Sequence, residues 1–381
     1  MISRAAFLQQ SVAAALAPTT MQGQVLQQST IGVNVPLTGD YAPYGSQIVA
    51  GVQAAIDETN RYNSTLTRAW GIRTFDDRNS GTVASSNVFV AASDPSIVGM
   101  IGDLTADVTL TALPQYANAN FAIVVPSVTA DVITARGYRN VFRLPTSDAN
   151  EGILMARAAI DRGNSSKVLA LVSDGDAYGN AIASAFVAQA KADRHTVELV
   201  TFDANEEPKN AAAVAIARTP SLVFLAGRPD KLGPIALTMR EQGYSGPFAA
   251  CDAFYSAQIP KMYGKALGGM LVASSLAPLD RAPSIISYLR DFQNEVSAIS
   301  AFSAYGYAAA QLIVQASGRA NATNRFQVLN QLQQGGSYNL LVGQFSFTYS
   351  GDATQPNIYL YSLGATGFTF EKPAVASGFV V

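Results

Sequence analysis

The chain has one cysteine and one histidine in 381 residues, and each scarcity removes a class of chemistry. A single cysteine, Cys251, cannot form an intramolecular disulfide or furnish a thiol-rich metal centre. The single histidine, His195, sits in the polar turn Lys191-Ala192-Asp193-Arg194-His195-Thr196 and reads as a solvated loop residue. A histidine-dependent triad then lacks its base. Cys251 reads as a small buried hydrophobe rather than a nucleophile, because no histidine is at hand to activate it. Charge is scarce as well. Charged residues make up 14% of the chain against 49% hydrophobic, which argues against long disordered or polyionic segments. With a net charge of −2, neither nucleic acid nor an anionic membrane is an electrostatically favoured partner. No apolar run approaches the roughly 20 residues needed to cross a bilayer. G-x-G-x-x-G after a strand and G-x-x-x-x-G-K-[ST] are both missing, so dinucleotide and phosphate-loop chemistry lack their signatures. G-x-S-x-G, H-E-x-x-H and paired cysteines are missing too, which leaves an enzyme only an unfamiliar kind of site.

What the chain does contain is a regular alternation of strands and helices. At this length it is too long for one average domain and comfortable for two. An apolar strand from residue 30 runs into a glycine-rich turn, and a helix beginning near Tyr44 carries Ile48, Val52, Ala55 and Ile56 on one face. Strands are expected at 71–75, 97–101 and 121–125, with helices at 82–92 and 108–119 between them. Residues 140–144 then lead through Leu144-Pro145-Thr146-Ser147, read as a crossover. A second array follows, with strands at 168–172, 197–202 and 222–226 and helices at 178–190, 209–218 and 230–242. Two consecutive βαβ arrays predict an α/β fold of two doubly wound lobes; an eight-unit barrel fits the length but not the proline-marked crossovers. A strand at 270–275 and a return crossing at Ala277-Pro278 come next, with helices at 285–296 and 304–317 packing on the first lobe. Strands at 344–349 and 357–363, around Ser350-Gly351-Asp352, are expected to go back to the second lobe. The first lobe would thus comprise 30–145 and 278–340, and the second 146–277 and 341–381.

Residues 1–29 read as an export segment. Arg4 precedes an apolar run over 5–17, and Ala15-Leu16-Ala17 offers a small-x-small cleavage site. Ser3-Arg4-Ala5-Ala6-Phe7-Leu8-Gln9 loosely resembles a twin-arginine signal with Ala5 where the second arginine belongs, which leaves the export route open. No cysteine follows the run, so a lipid anchor has no attachment point.

Four clusters fall just past expected strand ends, where α/β sheets bind their ligands. Tyr41 to Tyr44 is either a binding turn or a turn with a surface tyrosine. Gly102-Asp103-Leu104-Thr105-Ala106-Asp107 combines hydroxyls with free N–H groups at a helix start, which suits a carboxylate; Thr105 or Asp107 could equally be the helix N-cap. Pro126-Ser127-Val128-Thr129 supplies two hydroxyls, with Thr129 either a ligand donor or bonded to its own turn. In the second array, Ser173-Asp174-Gly175-Asp176-Ala177-Tyr178-Gly179 opens a helix. Asp252 ends a strand there, as an acid for a ligand ammonium or as an ordinary turn residue.

Val35-Pro36-Leu37-Thr38-Gly39-Asp40-Tyr41-Ala42-Pro43-Tyr44-Gly45, followed by Gly51-Val52-Gln53-Ala54-Ala55-Ile56-Asp57-Glu58-Thr59-Asn60, resembles the start of type I periplasmic solute-binding proteins. The leucine/isoleucine/valine-binding proteins of ABC importers are the relatives it suggests. The resemblance implies a Venus-flytrap architecture with a hinge of three crossings. It implies that Tyr44 lines the cleft over the ligand side chain and that Thr129, correctly spaced from Arg136-Gly137-Tyr138, bonds the ligand carboxylate. The family's carboxylate-binding serine falls on Ala106, which keeps the backbone N–H and lacks the hydroxyl. Asp174 and Tyr178-Gly179 match the family's Asp-x-x-x-Tyr-Gly turn, and Asp252 stands where amino-acid-binding members place an acid for the α-amino group. The function implied is an exported, periplasmic and monomeric receptor that captures an apolar or aromatic amino acid for a membrane ABC permease. No cofactor, metal or nucleic acid is implied. An aromatic carboxylate or amide-type solute, and a cytoplasmic ligand sensor of the same fold, are the alternatives.

Overall fold

Ile31, Val33 and Val35 alternate along the first strand, β1 (Gln27–Val35), and all three are fully buried. The fold is taken from a computed structural model that describes residues 27–62, 68–163, 167–173, 175–278, 300–355 and 358–374. Around β1 stand β2 (Arg68–Asp76), β3 (Ile97–Gly102), β4 (Ile123–Val125) and β5 (Val141–Arg143), in the order β2-β1-β3-β4-β5 and all parallel. Helices α1 (Ala42–Tyr62), α2 (Gly81–Ala92), α3 (Ala106–Asn118) and the short α4 (Val132–Ala135) connect them. The stripe of Ile48, Val52, Ala55 and Ile56 on α1 is buried, as its 3.6-residue period requires.

The second sheet comprises β6 (Lys167–Ser173), β7 (Thr196–Phe202), β8 (Leu222–Leu225), β9 (Phe248–Ala250), β10 (Leu271–Ser274), β13 (Tyr359–Leu363) and β14 (Phe368–Pro373). Its order is β14-β13-β10-β9-β8-β6-β7, parallel from β7 to β10 and antiparallel where the tail joins. Helices α5 (Asp148–Gly163), α6 (Ala177–Ala192), α7 (Pro208–Ala217), α8 (Pro229–Glu241) and α9 (Ile259–Tyr263) belong to this half of the chain. Leu154 and Met155 of α5 already lie in the second core, so the first crossing is 144–148, at the expected Leu144-Pro145-Thr146-Ser147.

The chain returns through Leu276, which joins the first core, to α10 (Ala301–Arg319) and α11 (Arg325–Gln333). Helix α10 packs on α1 with two glycines at the crossing. A Cβ on Gly51 would sit 2.0 Å from the Ser303 carbonyl oxygen, and one on Gly306 would sit 2.5 Å from that of Ile48. The helix expected at 285–296 lies outside the described residues.

Two expectations need correction. The tail from residue 341 does not go straight to the second lobe. β12 (Gly343–Phe345) pairs with β11 (Tyr338–Leu340), and Leu341, Val342 and Phe345 are buried in the first core. The Ser350-Gly351-Asp352 turn then docks on the edge of β5, where the Arg143 N–H donates to the Gly351 carbonyl at 2.9 Å. Gly351 has φ +91°, and a Cβ there would lie 1.8 Å from the Val141 carbonyl oxygen, so this contact needs glycine. Only from Ile358 does the tail enter the second core. The apolar pattern of 344–349 reads the same on either lobe; the close backbone contact on β5 decides where it goes. The other correction is at the start. β1 begins at Gln27, inside the segment 1–29 assigned to export, and Ser29 is buried opposite Trp70 of β2.

Candidate functional site

Strand order reverses between β1 and β3 in the first lobe and between β6 and β8 in the second. Loops leaving such neighbours diverge and open a crevice at the carboxyl ends of the strands. The first-lobe wall is therefore made by the loops after β1, β3 and β4, and the second-lobe wall by those after β6, β8 and β9.

Thr105 occupies the N-cap position of α3 in an extended conformation, but its hydroxyl does not cap the helix. It donates instead to Asn79 Oδ1 at 2.9 Å. Ala106 is the first helical residue, and the first-turn N–H groups of a helix have no acceptor inside it. They present donors and the positive end of the helix dipole to an anion. The Ser127 hydroxyl lies 3.1 Å from the Asp103 carbonyl and 3.0 Å from that of Leu104, tying the loop after β4 to the loop after β3.

A buried polar cluster supports these loops. Asn34 Nδ2 donates to Asp103 Oδ1 at 3.1 Å, and the Tyr116 hydroxyl donates to the same oxygen at 2.9 Å. Burial, with the nearby Asp77 charge, pushes the Asp103 carboxyl up to about 8, so it is mostly protonated at neutral pH. Burial also raises Asp77, to about 6.

Thr129 is held through its carbonyl, which accepts from Arg143 Nη1 at 2.6 Å and from the Asp148 N–H at 3.1 Å. Arg143 is 2% exposed; its other nitrogen pairs with Asp352, and Nη1 also reaches the Ala130 carbonyl at 2.8 Å. One guanidinium thus joins the Thr129 loop to the docked tail. Its planar fork of donors suits this better than a lysine would.

From the second lobe, Tyr178 in the first turn of α6 donates its hydroxyl to Asp252 Oδ1. The Asp252 N–H donates to Glu151 Oε1 at 2.7 Å. Glu151 is buried on the first turn of α5, one turn beyond Asp148. Burial raises all three acids. Asp148 goes up to about 7, with Thr129 opposing the rise and the Asp252 charge adding to it. Glu151 goes well above its ordinary value, chiefly by burial and then by the Asp252 charge. Asp252 rises by burial, against the hydrogen bonds from Tyr178 and Glu151. The Cys251 thiol, buried beside them, is also pushed up and accepts from the Gly227 N–H at 3.2 Å, which suits packing rather than nucleophilic attack.

The structure therefore joins Thr129, Asp148, Glu151, Asp252 and Tyr178 in one run of contacts that passes from lobe to lobe. Thr105, Ala106 and Ser127 lie in adjoining first-lobe loops. Tyr44 is 43% exposed, with its ring 5.1 Å from that of Phe302 at the start of α10. Sequence reasoning missed Asp148, Glu151 and Arg143. Acids at positions i and i+3 behind a crossover were a signal for the first two, but helix starts favour acids on dipole grounds alone. Among the described residues no group of three His, Cys, Asp or Glu is placed to hold a metal ion. No helix among them is long and apolar enough to cross a membrane.

The family profile described as periplasmic binding protein matches residues 28–367. The chain belongs to the periplasmic binding protein family. A curated relative, Leu/Ile/Val-binding protein homolog 1 of Brucella abortus (strain 2308), is 25% identical over 343 residues, covering 88% of this chain and 91% of the relative. In fold this periplasmic binding protein is similar to the leucine binding protein LivK of Thermotoga maritima, with a TM-score of 0.77 at 19% identity, covering 92% of this chain and 100% of that one. It is also similar to an ABC transporter solute binding protein of Rhodopseudomonas palustris in complex with benzoate, with a TM-score of 0.69 at 20% identity, covering 91% and 96% of the two chains. These likenesses carry the two-lobed Venus-flytrap architecture with them.

Proposed function

We propose that this chain is the exported, periplasmic substrate-binding protein of an ABC importer, and that it captures an apolar or aromatic L-amino acid between its lobes. The observation that carries this reading is the position of Asp252. A carboxyl group at the end of β9 is held by Tyr178 and Glu151 on the second-lobe side, while the first-lobe side offers a helix N-terminus and hydroxyls. A zwitterion matches both sides at once. Its carboxylate would meet the Ala106 N–H and the Thr129 hydroxyl, and its ammonium would meet Asp252, with Thr105 and Ser127 bracing the loops through the hydroxyl bonds they already make. Charge-assisted bonds of this kind are about twice as strong as neutral ones. Tyr44 and Tyr178 would cover the side chain. Closure then satisfies both ends of one ligand, so the ligand favours the closed state by its differential contacts. Hinge closure around a ligand is the general behaviour of periplasmic binding proteins, and the closure step is carried over from that class.

Calorimetry of L-leucine, L-isoleucine and L-phenylalanine against the purified protein tests the ligand class. Saturable binding of at least one is expected, and heat-silent titrations with all three would remove the amino-acid reading. Cell fractionation tests export. Recovery of the chain in the cytoplasm would favour a ligand sensor of the same fold.

A second reading has two observations behind it. Ala106 removes one hydroxyl from the carboxylate pole, and a similar fold is seen with benzoate. On this reading the solute is an aromatic carboxylate that has no amine. Titration with benzoate beside the amino acids separates the two.

A further inference from the structure

Glu151, 1% exposed, puts Oε1 on the Asp252 N–H at 2.7 Å, which brings the two carboxyl groups within reach of each other's charge. Two carboxyls this close cannot both ionise cheaply where no cation lies between them, so one of them keeps a proton. Among the described residues, the groups that act on the pair include no cation to replace that proton. From α5 comes Asp148, from the end of β9 Cys251, from α6 Tyr178 and from α10 Tyr305. The cation facing Asp148 is Arg143, already engaged by Asp352 and by two carbonyls, with Asp131 on the same side. A separate observation points to a missing partner. Asp148 is 3% exposed, lies near enough to Asp252 to feel its charge, and its Oδ1 has no hydrogen-bond partner. Buried polar atoms are paired in most folded proteins, so an orphan beside the ammonium position marks a group that arrives with the ligand.

We infer that Glu151 and Asp252 hold one proton between them in the ligand-free site and release it when a ligand ammonium takes its place. The inference rests on the amino-acid reading above and makes Glu151 a specificity residue for amine-bearing solutes. On binding, the O–H bond of the shared acid breaks and the proton passes to a buffer base. The pair goes from one negative charge to two as the ligand brings one positive charge, so the site keeps its balance. A ligand without an amine has no charge to exchange. A carboxylate placed here would instead need the acids protonated and would take up protons.

The test is calorimetry of the full chain with L-leucine, L-phenylalanine and benzoate, each in buffers of different ionisation enthalpy near neutral pH. With either amino acid the observed heat is expected to depend on the buffer with the sign of proton release. Affinity should then rise toward about tenfold per pH unit across the range where the pair titrates. Glu151→Gln should abolish the release and flatten that pH dependence, and Asp252→Asn should do the same. Amino-acid binding with no buffer dependence in the native chain overturns the inference and leaves the proposed function standing. Binding of benzoate with proton uptake, and no binding of either amino acid, overturns both. The native-chain measurement decides the matter even if neither variant folds.

Discussion

Acids occupy opposite places in the two lobes. In the first, Asp103 and Asp77 lie beneath the loops at the strand ends, buried among Asn34, Tyr116 and backbone, and the surface above them is a helix start with hydroxyls. In the second, Glu151 and Asp252 stand at the strand end itself, with the Tyr178 hydroxyl on Asp252. The same side-chain chemistry therefore does two jobs. Asp103, with no cation to pair with among the described residues, stays mostly protonated at neutral pH and acts as a strut, whereas an acid at a strand end could serve an ammonium. Between the two poles runs Arg143, whose guanidinium holds the Thr129 loop from below and grips the docked tail at Asp352.

The largest break in this comparison is expected from Arg143→Ala. Arg143 is buried but Asp352 is 29% exposed, so the loss should approach, without reaching, the cost of breaking a fully buried pair, about 3–5 kcal/mol. Thermal unfolding should show a marked drop in Tm, with amino-acid affinity falling too because Thr129 loses its support. Asp103→Asn probes the strut. Its folded carboxyl titrates at about 8 and its unfolded one at 3.8, so the folded state binds more protons between those values. The sign follows: the contribution of Asp103 is complete below pH 3.8 and is lost as pH rises through about 8, with a slope of at most about 1.4 kcal/mol per pH unit. Urea unfolding from acid to alkaline pH should show that decline in the native chain and a flatter curve in the variant.

A smaller effect is expected at the other pole. Asp252→Ala should weaken amino-acid binding by roughly 1.5–3 kcal/mol, about tenfold to a hundredfold, with the fold retained by circular dichroism. Unchanged calorimetric affinity would detach Asp252 from the ligand and remove the contrast between the lobes. Tyr178→Phe is the mildest change. It deletes one hydrogen bond to Asp252, a loss of about 0.5–1.5 kcal/mol, and should lower affinity several-fold while leaving Thr129 and its loop as they are.

Much of this was readable beforehand, for reasons that differ by element. The stripe on α1 and the alternation on β1 follow from local periodicity, which needs no knowledge of what packs against them. The positions of Thr105, Ala106, Ser127, Tyr178 and Asp252 just past strand ends follow from the same arrays, because such ends are where α/β sheets open. Other features were not readable. The Thr105 hydroxyl read as a ligand donor or a helix cap, and it bonds Asn79, a residue 26 positions away. Glu151 carries no motif of its own, since acids are common at helix starts, and it partners Asp252, 101 positions away.

The residues alone thus determined the two parallel arrays, the first crossing and which turns follow the strand ends, because strand and helix periods and turn chemistry are local properties. Tertiary structure decided the rest. It set which lobe received residues 341–353, through the close contact of Gly351 with Val141, and it gave Arg143 its Asp352 partner. It also brought Glu151, Asp148 and Asp252 together, where burial pushes the carboxyls of all three above their ordinary range. Like-charge proximity and desolvation depend on distances across the fold, and no spacing along the chain encodes them.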